Sequence, residues 1–136
     1  MVIGRSRGAA VAVWVVSALM TALFLFAGGT KLAGMAMHVE HFAHWGYPGW
    51  FRQFVGAWEV IFAALLLVPS LAFYAASALA LGMLGAIYTE LFRGDPPRAL
   101  FPLVLLGILI VVIRVRAAER WRPGSRAATG APVAGR

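Results

Sequence analysis

An all-α membrane protein, an antiparallel bundle of four transmembrane helices with both termini in the cytoplasm, is the fold class this sequence predicts. Three observations carry that expectation. Of the 136 residues, 62% are hydrophobic and only 12% are charged, against roughly 45–50% and about 25% in soluble domains. The apolar residues gather into four long runs separated by short polar segments. The basic residues flank those runs: Arg5 and Arg7 precede the first, while Arg114, Arg116, Arg120, Arg122 and Arg126 close or follow the last. A small soluble globule has too little interior to hide this much apolar surface, and disordered chains have the opposite composition.

The first run, residues 9–28, is long enough to cross a hydrocarbon core of about 30 Å at about 1.5 Å per residue. Arg5 and Arg7 ahead of it also fit a secretory signal. The run is long for such a segment, however, and Leu25-Phe26-Ala27 is a poor small-x-small cleavage site. The second span is expected over residues 51–68, with Pro69-Ser70 as a tight reversal, and the third over 71–91. The fourth, residues 100–115, is shorter and ends in Arg114 and Arg116, whose long stems can snorkel to the interface. Polar loops are expected from Lys31 to about Trp50 and from Arg93 to Arg98. The membrane domain is therefore residues 1–116. Residues 117–136, rich in Gly, Pro, Ala and Arg with no apolar periodicity, are expected to form a basic, disordered tail. An even number of spans puts both basic termini on one side, and the positive-inside rule makes that side the cytoplasm of a plasma-membrane protein.

The net charge of +7 is thus an orientation signal rather than a nucleic-acid groove. The chain has no cysteine, which excludes thiolate nucleophiles, thiolate-bound clusters and CxxC relays as its own chemistry.

Ionisable residues inside a membrane are expensive and need a reason. Glu59 lies eight residues into the second expected span, roughly 12 Å along the axis. Gly56, Glu59 and Ala63 share one helical face, with Arg52 one turn earlier. Small residues mark where a neighbouring helix packs closely, so Glu59 is expected to point into the bundle. Ala75, Ala78, Gly82, Ala86 and Glu90 trace a similar stripe on the third span. Lys31, Arg52, Glu59, Glu90 and Arg93 all fall in the outer half, where opposite charges can pair, and Tyr88 can donate a hydrogen bond beside them. Two readings follow: a polar network that fixes helix register, or a proton or quinone-headgroup site.

His38, His41 and His44 form a His-x-x-His-x-x-His pattern with Met35 and Met37 just upstream. Imidazole and thioether can ligate copper, and imidazole can ligate zinc. No cysteine or second carboxylate completes a tetrahedral set, so no metal is expected. Val39, Phe42 and Trp45 run as an apolar stripe beside the histidines, as on an interfacial amphipathic helix. Hydrogen bonding to a quinone carbonyl is a third use for them. Trp45, Tyr47, Trp50, Phe51 and Trp58 crowd the outer boundary, as an aromatic belt or as the wall of a ring-binding cleft.

Several segments together resemble the DoxX and DoxX-like membrane family. They are Gly28-Gly29-Thr30-Lys31-Leu32 and Trp45-Gly46-Tyr47-Pro48 leading into Phe54-Val55-Gly56-Ala57-Trp58-Glu59. Leu65-Leu66-Leu67-Val68-Pro69 and Gly85-Ala86-Ile87-Tyr88-Thr89-Glu90 before a Gly-Asp-Pro-Pro loop follow in order. The resemblance runs from about Val11 to Arg116. It implies a four-helix membrane bundle and a link to redox chemistry, through a membrane subunit of thiosulfate:quinone oxidoreductase and an accessory protein for methylamine dehydrogenase. The family's lysine and glutamate carry over to Lys31 and Glu59. Many relatives place a histidine late in the third span, where this chain has Tyr88-Thr89-Glu90.

Three functions remain open on the sequence. One is a non-catalytic accessory or scaffold subunit that sits in the lipid bilayer and recruits a membrane or peripheral redox protein, alone or as a homo-oligomer. Another is a quinone-linked oxidoreductase subunit that uses Lys31, Glu59 and Glu90 for protons. A transporter of protons or small solutes is the third, although no broken helix or paired half-segments mark a pathway. The chain carries no dinucleotide fingerprint, no haem-ligand pair across spans and no cluster ligands, so no turnover by the chain alone is expected.

Overall fold

The computed structural model describes residues 7–120, all of it helices and turns. Five α-helices follow one another: α1 (Arg7–Ala33), α2 (Ala36–His44), α3 (Gly49–Leu65), α4 (Ala72–Phe92) and α5 (Leu100–Arg120), with a 3-10 turn at Pro96–Ala99 leading into α5. There is no strand among the described residues. Three segments are long and apolar enough to cross a membrane: Arg7–Ala33, Ala72–Phe92 and Pro96–Glu119. Such helices place the protein in a lipid bilayer.

α3 departs from the expected second span. It has 17 residues and rises about 25 Å, somewhat less than a hydrocarbon core of about 30 Å. The expected span ran to residue 68, but the helix stops at Leu65 and turns through 66–71. Pro69 is the reason. It has no N–H to give the Leu65 carbonyl, its ring clashes with that carbonyl, and it disfavours helical geometry at Val68.

The segment from Lys31 to Trp50, expected as a loop, also differs. α1 continues through Lys31 to Ala33, and α2 occupies the middle of the loop. Both helices end in the same way. Gly34 (φ +77°) and Gly46 (φ +85°) adopt the left-handed conformation that glycine takes without a Cβ clash. Met35 N–H then bonds to the Thr30 carbonyl and Gly34 N–H to the Lys31 carbonyl. After α2, Tyr47 N–H bonds to the Phe42 carbonyl and Gly46 N–H to the Ala43 carbonyl. These paired bonds define the Schellman stop, and the accompanying apolar contact is present as Phe42 against Tyr47, ring centroids 6.2 Å apart.

At the other boundary, α5 runs on to Arg120, beyond the expected end at 115 and into the segment expected as a tail. The rest of that tail, with Arg122 and Arg126, lies outside the described residues, as does Arg5. Pro102 sits in the first turn of α5, where its missing N–H would have had no helical partner.

α1 packs along α3, α4 along α5, and α3 against α4 joins the two pairs. Thr21 Oγ1 donates to the Ala63 carbonyl at 2.9 Å, and Gly28 faces Gly56 further along, so α1 and α3 are antiparallel. Trp14 near the start of α1 lies under the Arg116 guanidinium of α5, 5.8 Å from ring centroid to Cζ. The described chain therefore enters and leaves at one end, opposite the end that carries α2 and the 3-10 turn.

The apolar core is displaced toward the end with the termini. Phe24, Leu66, Leu79 and Leu109 are its largest fully buried residues, packed with Met20, Ala63, Ala72, Ala75 and Ala76. Small alanines let the backbones come close there. Toward the α2 end the two helix pairs are less tightly joined, and an open space begins.

Candidate functional site

That space is a cavity of about 1240 Å³ bounded by all five helices, with α2 across its end. Its walls are mostly apolar and aromatic, from Phe24 and Leu79 at the core side to Phe51, Phe54 and Trp58 along α3. The aromatic rings of α3 form a continuous ladder, Phe51 to Phe54 to Trp58 to Phe62, with centroids 6.1, 5.8 and 4.8 Å apart. Trp58 is held by its Nε1–H, which donates to the Ala78 carbonyl at 2.9 Å. Several wall residues, Phe26, Leu81, Phe101 and Val104 among them, are more than half exposed. They stand on membrane-crossing helices, so the cavity is open sideways as a cleft.

The charge buried in the cleft wall comes from one helix crossing. Gly28 of α1 and Gly56 of α3 bring their backbones together. Lys31 and Glu59 each lie three residues further along their own helix. Because every Cβ tilts toward its own helix's N-terminus, two residues placed beyond an antiparallel crossing lean back toward each other. Lys31 Nζ meets Glu59 Oε1 at 3.0 Å, with side chains only 15% and 8% exposed.

The other residues expected in one polar network are separated. Arg52 Nη1 donates to the Lys31 main-chain carbonyl, near the end of α1. Arg93 does the same for α2, with Nη1 donating to the Trp45 carbonyl at 3.0 Å and its guanidinium 5.3 Å from the Tyr47 ring centroid. Both arginines thus complement the carbonyl ends of helices. Glu90 Oε1 accepts the Asp95 N–H at 3.2 Å and fixes the turn after α4. Tyr88 lines the cleft but is half exposed, packed against Phe92 with ring centroids 5.0 Å apart. Only Lys31 and Glu59 form an ion pair from the expected set.

The three histidines are on one helix, α2, but do not converge. His38 Nε2 lies 2.9 Å from Thr30 Oγ1. Thr30 has a single hydroxyl hydrogen, and the Phe26 and Ala27 carbonyls stand 2.9 and 3.0 Å from the same oxygen. With that hydrogen on the backbone, His38 Nε2–H is the donor to Thr30. Burial first, then electrostatic interaction with Lys31, His41 and Arg52, holds the His38 pKa below the ordinary histidine value. His41 Nε2 lies 3.2 Å from Arg98 Nη2. A guanidinium can only donate, so His41 presents a lone pair and is neutral in this contact. His44 is exposed. Among the described residues no group of three His, Cys, Asp or Glu is placed to hold a metal ion.

Three contributors carried no mark in the sequence. Thr30 anchors His38, Arg98 anchors His41, and Thr89 Oγ1 pairs with Tyr47 Oη at 2.7 Å. Arg98 follows two prolines, whose 3-10 turn aims it back toward α2. That Pro-Pro pair was the only available signal.

The sequence profile of the DoxX-like family matches residues 15–112, well over half of the chain. The chain belongs to the DoxX-like family. The DoxX-like match starts in α1 and ends in α5, so it includes the helix crossing, α2 and all walls of the cleft. No curated protein and no solved structure matches the chain.

Proposed function

We propose that this DoxX-like chain is a non-catalytic accessory or scaffold subunit of a redox system in the plasma membrane. In this reading α3 crosses as the fourth helix of a bundle whose termini are both cytoplasmic. A helix slightly short for the bilayer is tolerated by local thinning or by snorkelling of flanking residues, and Arg52 and Trp50 stand near its start. The basic residues at both chain ends support the orientation.

One observation carries the scaffold reading. The charges in and around the cleft are used within the fold: the buried Lys31–Glu59 pair spans the closest helix contact, and the more exposed Arg52, Arg93 and Glu90 serve helix ends and turns. Co-purification from native membrane extracts, with partners identified by mass spectrometry, gives the complex in which to test it. In that complex, Glu59→Gln is expected to lower partner activity only as far as it lowers the folded fraction. A folded Glu59→Gln complex with lost or pH-shifted activity overturns the scaffold reading. So does a purified chain that alone reduces a ubiquinone or menaquinone analogue with thiosulfate.

The cleft favours a second reading, a quinone-linked membrane subunit. Its aromatic ladder suits a flat ring, its open side admits a lipid-dissolved molecule, and Lys31 and Glu59 stand in its wall with Glu90 nearer the α2 end. In that role the three would orient the headgroup and hold protons. Saturable quenching of tryptophan fluorescence by a short-chain quinone, lost in Trp58→Leu, supports it, and non-saturable quenching removes it.

A further inference from the structure

The cleft has a cover with an unusual attachment. α2 is nine residues long and is bracketed by the two left-handed glycines, Gly34 and Gly46. It is therefore a short rigid piece slung between two turns rather than a continuation of either neighbour. It packs on α1 and α3, so it belongs to one side of the cleft. The turn that follows it is held to α4 through Arg93 on the Trp45 carbonyl and Tyr47 on Thr89. From within α2 itself, the hydrogen bond that reaches the α4–α5 side is the one between Arg98 Nη2 and His41 Nε2, at 3.2 Å.

That bond exists in only one protonation state. Arg98 has donors alone, so His41 must supply a lone pair, and a protonated imidazole has none. The surroundings do not replace what is lost. On α2 the titratable neighbours are His38, Glu40 and His44. Lys31 comes from α1 and Arg52 and Glu59 from α3, with Lys31 and Glu59 already paired. α4 brings Glu90, engaged with the Asp95 amide, and Arg93, engaged with the Trp45 carbonyl. The turn that carries Arg98 brings the Asp95 carboxylate, which forms no ion pair with Arg98 or His41 among the described residues. Among the described residues Arg98 has no ion pair. A second positive charge at His41 therefore meets the Arg98 guanidinium directly, at an exposed rim. Histidine is the side chain that changes charge between about pH 5 and 8.

We propose that α2 is a proton-released strap across the cleft. With His41 neutral, Arg98 holds the strap to the far wall. Protonation of His41 removes the acceptor, sets two cations side by side, and lets α2 roll about its glycine turns away from that wall. The cleft then opens at this end for exchange of a lipid-dissolved molecule. The inference rests on the cleft being a binding site, as in the second reading above, and its test separates the two.

The chain has no native cysteine, so spin labels can be placed at Ala43→Cys on α2 and Leu100→Cys at the start of α5. Both sites are exposed. In lipid nanodiscs, the inter-label distance is expected to be short and single at about pH 8 and to gain a longer population at about pH 5. His41→Gln, whose amide oxygen accepts from Arg98 and does not titrate, is expected to keep the short distance at both. His41→Lys is expected to show the longer one at both, and His38→Gln is expected to shift as the parent does. An unchanged distribution in the parent, a shift surviving in His41→Gln, or a shift lost in His38→Gln overturns the strap. Thermal melts confirm that each variant is folded. A separate label at Gly85→Cys, on the cleft wall where an added side chain meets nothing within 4 Å, reads the cleft itself. If a lipid-soluble relaxing agent never reaches that label, the cleft reading fails whatever the strap distance does.

Discussion

Gly28 and Gly56 face each other across the α1–α3 crossing, and each backbone occupies the space the other's Cβ would need. A Cβ on Gly28 would stand 2.6 Å from the Gly56 carbonyl oxygen, and one on Gly56 would stand 2.9 Å from the Gly28 oxygen. Both obstacles are main chain, so neither can swing aside. Between membrane helices the driving force is packing and polar contact rather than exclusion of water, which makes this close approach a direct source of stability. It also sets the level at which Lys31 and Glu59 meet.

Alanine at either glycine is therefore expected to push the helices apart. The expected loss is about 1–3 kcal/mol, the usual range for overpacking, read as a lower unfolding temperature in detergent. Gly29→Ala and Gly85→Ala are the controls, because a Cβ there meets nothing within 4 Å. They are expected to be neutral or slightly stabilising, since alanine is the better helix residue by about 0.5–1 kcal/mol. Equal destabilisation at all four positions would show that the crossing is not held by Gly28 and Gly56.

The ion pair beyond the crossing gives a second expectation. Removing one member leaves an unpaired charge in a buried place, which typically destabilises by about 3–5 kcal/mol. Lys31→Met and Glu59→Gln should each show a loss of that order in unfolding measurements in mixed micelles. The double variant should lose clearly less than the sum, because no charge is then stranded. Additive losses would mean that the two side chains act independently despite their 3.0 Å contact.

How much of this was legible beforehand differs from residue to residue, for physical reasons. Glu59 was readable as inward-facing because Gly56 and Ala63 share its helical face, and period and residue size are local properties. Arg52 and Arg93 looked like members of the same charge network because charge attracts attention to other charge. Their partners are main-chain carbonyls, which leave no trace in composition. Those carbonyls become special only once Gly34 and Gly46 are known to end helices. The contact between His41 and Arg98 spans 57 residues, so no spacing rule reaches it. The early stop of α3 was readable from Pro69, whose effect extends back four residues to Leu65 rather than one.

Tyrosine hydroxyls offer a graded comparison. Tyr47 Oη pairs with the buried Thr89 Oγ1 at 2.7 Å and ties the turn after α2 to α4. Interhelical hydrogen bonds in membrane proteins contribute about 0.6 kcal/mol on average. Tyr47→Phe is therefore expected to produce a small, measurable drop in stability of that order while keeping the ring contacts. Tyr88→Phe, at a half-exposed ring packed on Phe92, is expected to leave stability unchanged. A larger effect at Tyr88 than at Tyr47 would reverse the roles assigned to the two hydroxyls.

His38 provides the pH expectation, and its sign follows from the direction of its shift. Burial, with Lys31, His41 and Arg52 nearby, places its folded pKa below the ordinary value of 6.5. The unfolded chain then binds the proton more readily than the folded one. The stabilisation is fully present above the unfolded value and is lost as the pH falls from there through the lowered folded value. Its hydrogen bond to Thr30 is donated by Nε2–H and survives protonation, so the loss comes from placing charge in a partly buried site beside the Lys31 and Arg52 cations. Unfolding temperature in detergent is expected to decline on acidification below about pH 6.5. In His38→Gln the decline should be shallower, because glutamine does not titrate. An equally steep decline in His38→Gln would assign the acid sensitivity to other groups.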